Sequence, residues 1–178
     1  MKVTESGIKG VYTIEPDVYI DDRGFFMETF HRERYRKLLG IDLDFVQDNI
    51  SRSSKNVLRG MHFQKNYPQG KIVKASRGEI LDVVVDLRKD SPTYGTWESF
   101  RLSEKNKLQV WIPPGFAHGF LVMSDSADFE YKCTEYYHPE DELCLMWNDP
   151  EVAIDWPIND PILSEKDKEL PTFETLFK

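Results

Sequence analysis

Val57-Leu58-Arg59-Gly60-Met61-His62-Phe63-Gln64 and Pro113-Pro114-Gly115-Phe116-Ala117-His118-Gly119-Phe120 are two strand-like stretches, each setting one histidine among large apolar residues. That pattern fits the mouth of a small β-barrel, where one face packs and the other meets a pocket. Outward from them, apolar-rich segments recur between turn signals at residues 11–14, 25–30, 72–75, 80–87, 97–102, 108–112 and 117–123. Ile41, Leu43 and Phe45 alternate with acidic residues and read as a further strand. Ala127, Phe129, Tyr131 and Cys133 alternate with Asp128, Glu130, Lys132 and Thr134, a clear period of two. Many short strands at close spacing predict a mainly β chain, a jelly-roll sandwich or barrel.

Helical signals are few. Residues 31–39 are charged with a Tyr35/Leu38/Leu39 stripe, and Gly40 fits a C-terminal cap. Ser164-Glu165-Lys166-Asp167 reads as a helix start of the capping-box type, and Leu170-Pro171 stops that helix after about one turn. There are no repeats, low-complexity tracts or linkers. Residues 1–178 are expected to form one domain with a less regular, partly helical C-terminal segment.

The chain has 40% hydrophobic and 13% aromatic residues, a globular composition. Its net charge of −8 argues against nucleic acid as a partner, while leaving room for a small anion held by local arginines and lysines. No apolar run is long enough for a membrane helix, and none follows Lys2 as in a secretory signal. The two cysteines, Cys133 and Cys144, are expected to be reduced thiols. A cytoplasmic protein is the expectation.

The two histidine stretches resemble the signature motifs of the cupin superfamily, with Gln64 where a metal-binding cupin has the second histidine of His-x-His. An amide is a poor metal ligand, and a histidine without a metal is free to move protons. Six motifs in order carry a more specific resemblance. They are Asp22-Arg23-Gly24-Phe25-Phe26-Met27-Glu28-Thr29-Phe30, Gln47-Asp48-Asn49-Ile50-Ser51, Leu58 to Gln64, Gln69-Gly70-Lys71, the Pro-Pro-Gly-Phe-Ala-His-Gly-Phe run, and Glu130-Tyr131-Lys132. Together they resemble the dTDP-4-dehydrorhamnose 3,5-epimerase family, from about residue 8 onward.

The resemblance implies proton exchange at carbons 3 and 5 of a dTDP-linked 4-keto-6-deoxyhexose, whose hydrogens the carbon-4 carbonyl acidifies. Such a reaction needs a base, an acid on the opposite face, and a positive group for the enolate oxygen. It requires no redox cofactor or metal, and no Gly-rich dinucleotide fingerprint is present. By the resemblance His62 is the base, Asp167 its orienting carboxylate, Tyr131 the acid and Lys71 the enolate partner. On the residues alone, Asp167 closes a capping box and Tyr131 is an inward core aromatic.

Arg59 and His62 are three apart, so a regular strand sends them to opposite faces; Gly60 permits a bulge that turns both inward. Arg59 and Arg23 are expected diphosphate ligands, because a guanidinium grips phosphate bidentately. Glu28, Gln47 and Asn49 match positions near the nucleotide and sugar, with Glu28 accepting from thymine or holding an arginine. His118 is expected to hydrogen-bond inside the pocket, and Tyr137 or Tyr136 to stack on the base. His31 and His138 are given no role. Cys144 and Met146, before Trp147-Asn148-Asp149-Pro150, replace a small and a basic residue of the family pattern; they are expected to leave the catalytic set untouched.

The resemblance further implies a homodimer that exchanges N-terminal strands, with Arg23 and Glu28 completing the partner's site. Other readings are a single-carbon epimerase, a metal-dependent cupin enzyme and a non-catalytic sugar-nucleotide binding module. Gln64 argues against the second of these, and the joint presence of an acid and a base against the third.

Overall fold

The protein is described here by a computed structural model covering residues 1–168 and 170–177. Two antiparallel sheets face each other. One has the strand order β1 (Lys2–Glu5), β2 (Tyr12–Glu15), β10 (Gln109–Ile112), β7 (Lys71–Arg77), β12 (Ser126–Cys133) and β5 (Gln47–Ser54). The other runs β13 (Glu142–Cys144), β6 (Leu58–Gln64), β11 (Phe116–Val122), β8 (Glu79–Asp86) and β9 (Trp97–Ser103). A separate hairpin pairs β3 (Val18–Asp21) with β4 (Gly24–Met27). The mainly β sandwich expected from the spacing of apolar segments is what forms.

Three apolar layers account for the patterning. Val73, Ala75, Val110 and Phe129 of the first sheet meet Ile80, Val84, Leu102 and Phe120 of the second in the central core. The second sheet also buries its outer face: Leu58, Met61, Val83 and Leu121 pack under Leu145, Ile154, Trp156 and Phe173 of the C-terminal segment. This explains why all of β11 is buried and reads as apolar on both faces around its one histidine. On the far side of the first sheet, Ile14, Ile72 and Trp111 are covered by Tyr35 and Leu39 of α1 (Arg32–Leu39). Each such side chain contributes roughly 1.5–3 kcal/mol by leaving water.

Helix α1 begins and ends as its sequence predicts. Gly40 takes the left-handed cap at φ +66°, and the His31 ring, given no role above, accepts from the Arg34 N–H as the N-cap. The alternation at Ile41, Leu43 and Phe45 makes no strand. Asp42 and Asp44 pair instead with Arg36 and Arg32 of α1, and Phe45 sets its ring edge-on to Trp111. The strand expected at residues 25–30 is also shorter, ending at Met27. Near the C-terminus, α2 (Glu165–Lys168) and α3 (Phe173–Phe177) are single turns.

Two tethers hold the stretch carrying α2. At one end the Leu58 N–H donates to the Ile162 carbonyl and the Ile162 N–H to Asn56. At the other, buried Asp149 accepts from the N–H groups of Val152 and Phe173. No helix among the described residues is long and apolar enough to cross a membrane.

Candidate active site

A cavity of about 320 Å³ opens between the sheets. His62 and Arg59 of β6 and His118 of β11 line it from one sheet; Lys71 of β7, Tyr131 of β12, and Gln47 and Asn49 of β5 line it from the other. The expected distortion is present in β6. His62 pairs with His118 and Arg59 with Phe120, so three residues of β6 advance against two of β11. Gly60 sits at φ +125°, and a Cβ there would lie 2.5 Å from the Gly119 Cα. The extra residue brings Arg59 and His62 to one cavity despite their odd spacing.

His62 Nε2 lies 2.7 Å from Asp167 Oδ1, while Asp167 Oδ2 accepts from the Ser164 hydroxyl at 2.8 Å. Asp167 also donates its backbone N–H to Ser164 Oγ, so the capping box and the histidine contact coexist. Burial would raise this carboxyl, but the His62 and Ser164 hydrogen bonds outweigh it and hold Asp167 below the usual carboxylate range. An ionised Asp167 selects the Nε2–H tautomer and leaves the Nδ1 lone pair free. Glu142 Oε1 stands 4.0 Å from that Nδ1.

On the facing sheet, burial pushes the Tyr131 hydroxyl up and keeps it protonated, with the Cys133 thiol adding to the effect and Arg59 opposing it. Lys71 Nζ is 5.8 Å from the Tyr131 ring centre. Burial pushes the Lys71 ammonium down, against the pull of Cys133 and Asp82. His118 Nε2 bonds to Asp82 Oδ2 at 2.7 Å, as expected of a pocket histidine. Asp82 Oδ1 is the one buried side-chain oxygen or nitrogen among the described residues without a hydrogen bond. Burial raises its carboxyl, and His118 and Lys71 counter that.

Several expected residues converge and three do not. Arg59, Gln47, Asn49, His118 and Tyr137 line the cavity, whereas Tyr136 is 58% exposed and outside it. Arg23 stands on the β3–β4 hairpin paired with Asp21, and Glu28 pairs with Arg34; neither lines this cavity. Unforeseen members are Glu142, which accepts from the Tyr137 hydroxyl and pairs with Lys166, and Lys166 itself; Asp82, also unforeseen, does not line the cavity but holds His118, which does. Asp82 had a signal, an acidic residue inside the apolar run 80–87. Glu142 and Lys166 carried none.

Cys144 requires a correction. Its strand β13 sets it directly opposite His62, and its thiol lies within 4.8 Å of ligand atoms of both His62 and Asp167. It therefore adjoins the residues it was expected to leave untouched. Burial, and the Asp167 charge after it, push the thiol up to about 11. Both cysteines are free and buried.

The cupin metal set does not fit this chain. Gln64 donates through Nε2 to the Tyr67 and Tyr136 carbonyls and accepts at Oε1 from the His138 N–H. With its amide saturated by backbone, residue 64 has no free ligand atom to offer.

A cavity held between the sheets of a cupin-like jelly roll, with a His–Asp pair on one wall and a Tyr–Lys pair on the other, has the groups that proton transfer needs and lacks a metal ligand at residue 64. The family model for dTDP-4-dehydrorhamnose 3,5-epimerase matches residues 5–175. The chain belongs to this family. It is 52% identical to the dTDP-4-dehydrorhamnose 3,5-epimerase of Pseudomonas aeruginosa, over 97% of this chain and 96% of the relative. It is 51% identical to the enzyme of that name from Escherichia coli, covering 100% and 97%. A crystal structure of dTDP-6-deoxy-D-glucose-3,5-epimerase from Legionella pneumophila in complex with dTDP-4-keto-L-rhamnose superposes with a TM-score of 0.91 at 53% identity, covering 93% of this chain and 89% of that one.

Proposed function

We propose that the chain is a dTDP-4-dehydrorhamnose 3,5-epimerase, an isomerase that exchanges protons at carbons 3 and 5 of dTDP-4-dehydro-6-deoxy-D-glucose. The observation that carries this reading is His62 on one sheet, paired at 2.7 Å with Asp167 of α2, facing Tyr131 and Lys71 on the other sheet. Inversion at a carbon needs proton removal and return on opposite faces, and two facing sheets supply two faces.

In this reading His62 Nδ1 takes the proton, and the resulting imidazolium is stabilised by Asp167 on one side and Glu142 on the other. The carbon-4 oxygen becomes an enolate beside the Lys71 ammonium. Tyr131, kept protonated by burial, returns a proton from the opposite wall. Arg59 grips the diphosphate, while Gln47, Asn49, His118 and Tyr137 position nucleotide and sugar. No step calls for a redox cofactor or a metal.

The reading includes one epimerase domain over residues 1–178, working in the cytoplasm as a strand-exchanged homodimer. Supporting the dimer, Tyr19, Ile20, Phe25 and Phe26 of the β3–β4 hairpin are 59–80% exposed, an apolar surface suited to a partner. Arg23 and Glu28 ride on and beside this hairpin, and in this reading they serve a neighbour's cavity.

Proton NMR of dTDP-4-dehydro-6-deoxy-D-glucose with the protein in heavy water tests the function. Deuterium is expected at both carbon 3 and carbon 5. Deuterium at one carbon alone would make the protein a single-carbon epimerase, and none at either would overturn the assignment.

A further inference from the structure

We propose that His62, Cys144 and Asp167 form a binding site for a thiophilic divalent cation, Zn²⁺, that silences the enzyme by occupying its base. One ligand atom from each of the three lies within 4.8 Å of the others. They come from β6, β13 and α2, so the protein's tertiary structure assembles the set. An imidazole nitrogen, a thiolate and a carboxylate are the ligand types zinc prefers. Tetrahedral ligands at zinc distances stand about 3.3 Å apart or a little more. The 2.7 Å between His62 Nε2 and Asp167 Oδ1 would therefore open by roughly half an ångström to admit the ion. Asp167 and Cys144 are buried, and His62 is the member of the set that lines the cavity, the route by which the ion would enter.

This site is distinct from the cupin arrangement, because it uses neither residue 64 nor His118. As the ion binds at Nε2, the Cys144 thiol proton leaves to solvent and the His62 proton passes from Nε2 to Nδ1, beside Glu142, so one proton is released and no oxidant or reductant is involved. A zinc-bound imidazole pinned between Cys144 and Asp167 loses the Nε2–H···Asp167 hydrogen bond that supports proton uptake at Nδ1. That zinc silences turnover rests on the proposed epimerase; that the ion binds does not.

Cobalt(II), a spectroscopic stand-in for zinc, titrated into the untagged metal-free protein reads binding directly. A thiolate-to-cobalt charge-transfer band with the visible absorption of a tetrahedral site is expected, abolished in Cys144→Ala and in the near-isosteric Cys144→Ser. With each protein referred to its own zinc-free rate, Cys144→Ala should need at least about 100-fold more zinc than the parent for half-inhibition. Cobalt binding without the charge-transfer band, or equal zinc sensitivity of parent and variants, would overturn the proposal. A protein that binds cobalt through Cys144 yet fails to epimerise would sink only the functional reading.

Discussion

In the proposed mechanism the two ring nitrogens of His62 have different work. Asp167 holds Nε2, so the working lone pair is on Nδ1. Replacing His62 with Asn keeps a polar side chain in the strand but removes the base. The rate of epimerisation is expected to fall by about 10²–10⁴. Circular dichroism and dTDP binding should be unchanged; near-normal turnover would refute the base assignment. How far such roles were legible differs by residue. His62 stood out as a polar ring in an apolar strand. Asp167 did not, because a carboxylate closing Ser164-x-x-Asp explains itself locally; only the fold shows that its second oxygen is free for a histidine 105 positions away. Cys144 misled for a related reason: a two-strand register, invisible along one strand, sets it opposite His62.

Among the elements, the link between β8 and β9 rests on one buried side chain. Asp86 accepts from Arg88, Ser91 and Thr93. Burial alone would raise its carboxyl, yet these bonds outweigh that and lower it from 3.8 to about 2. A folded-state value below the unfolded one adds stability that is complete above the unfolded value and is lost as pH falls through the folded one. Between about pH 5 and pH 2 the parent should lose about 2 kcal/mol that Asp86→Asn does not lose. Urea unfolding of both at the two pH values measures it, and parallel losses would refute the role. Strand β5 shows why some elements escaped the sequence reading. Its inward residues Gln47, Asn49 and Ser51 face the cavity and not the core, so Gln47–Ser54 has the period of a strand without the apolar content. The β3–β4 hairpin misled in the opposite way, carrying core-like residues on an exposed surface. By contrast, β7, β8, β9 and β11 were plain because their inward faces are apolar.

For the whole molecule, the proposed strand exchange has a quantitative signature. If Arg23 of one copy serves the other's cavity, a mixed dimer of Arg23→Ala and His62→Ala chains has one doubly damaged site and one intact site. Two nearly inactive variants, refolded together, should then recover about a quarter of parental activity. No recovery would place Arg23 in its own chain's site or outside any. Within one chain, the seating of α2 between Ile162 and Asp149 sets the effective concentration of the Asp167 carboxylate beside His62. A single-turn helix cannot persist on its own, so the His62 ring, the base of the proposed mechanism, is steered by hydrogen bonds made on the far side of the sheet. Loosening Asp149 would leave the cavity-lining side chains of both sheets in place and still dilute the carboxylate, much as lengthening a linker weakens a tethered ligand. The outer layer of the sandwich, which touches no substrate in this reading, is thereby part of what tunes the rate.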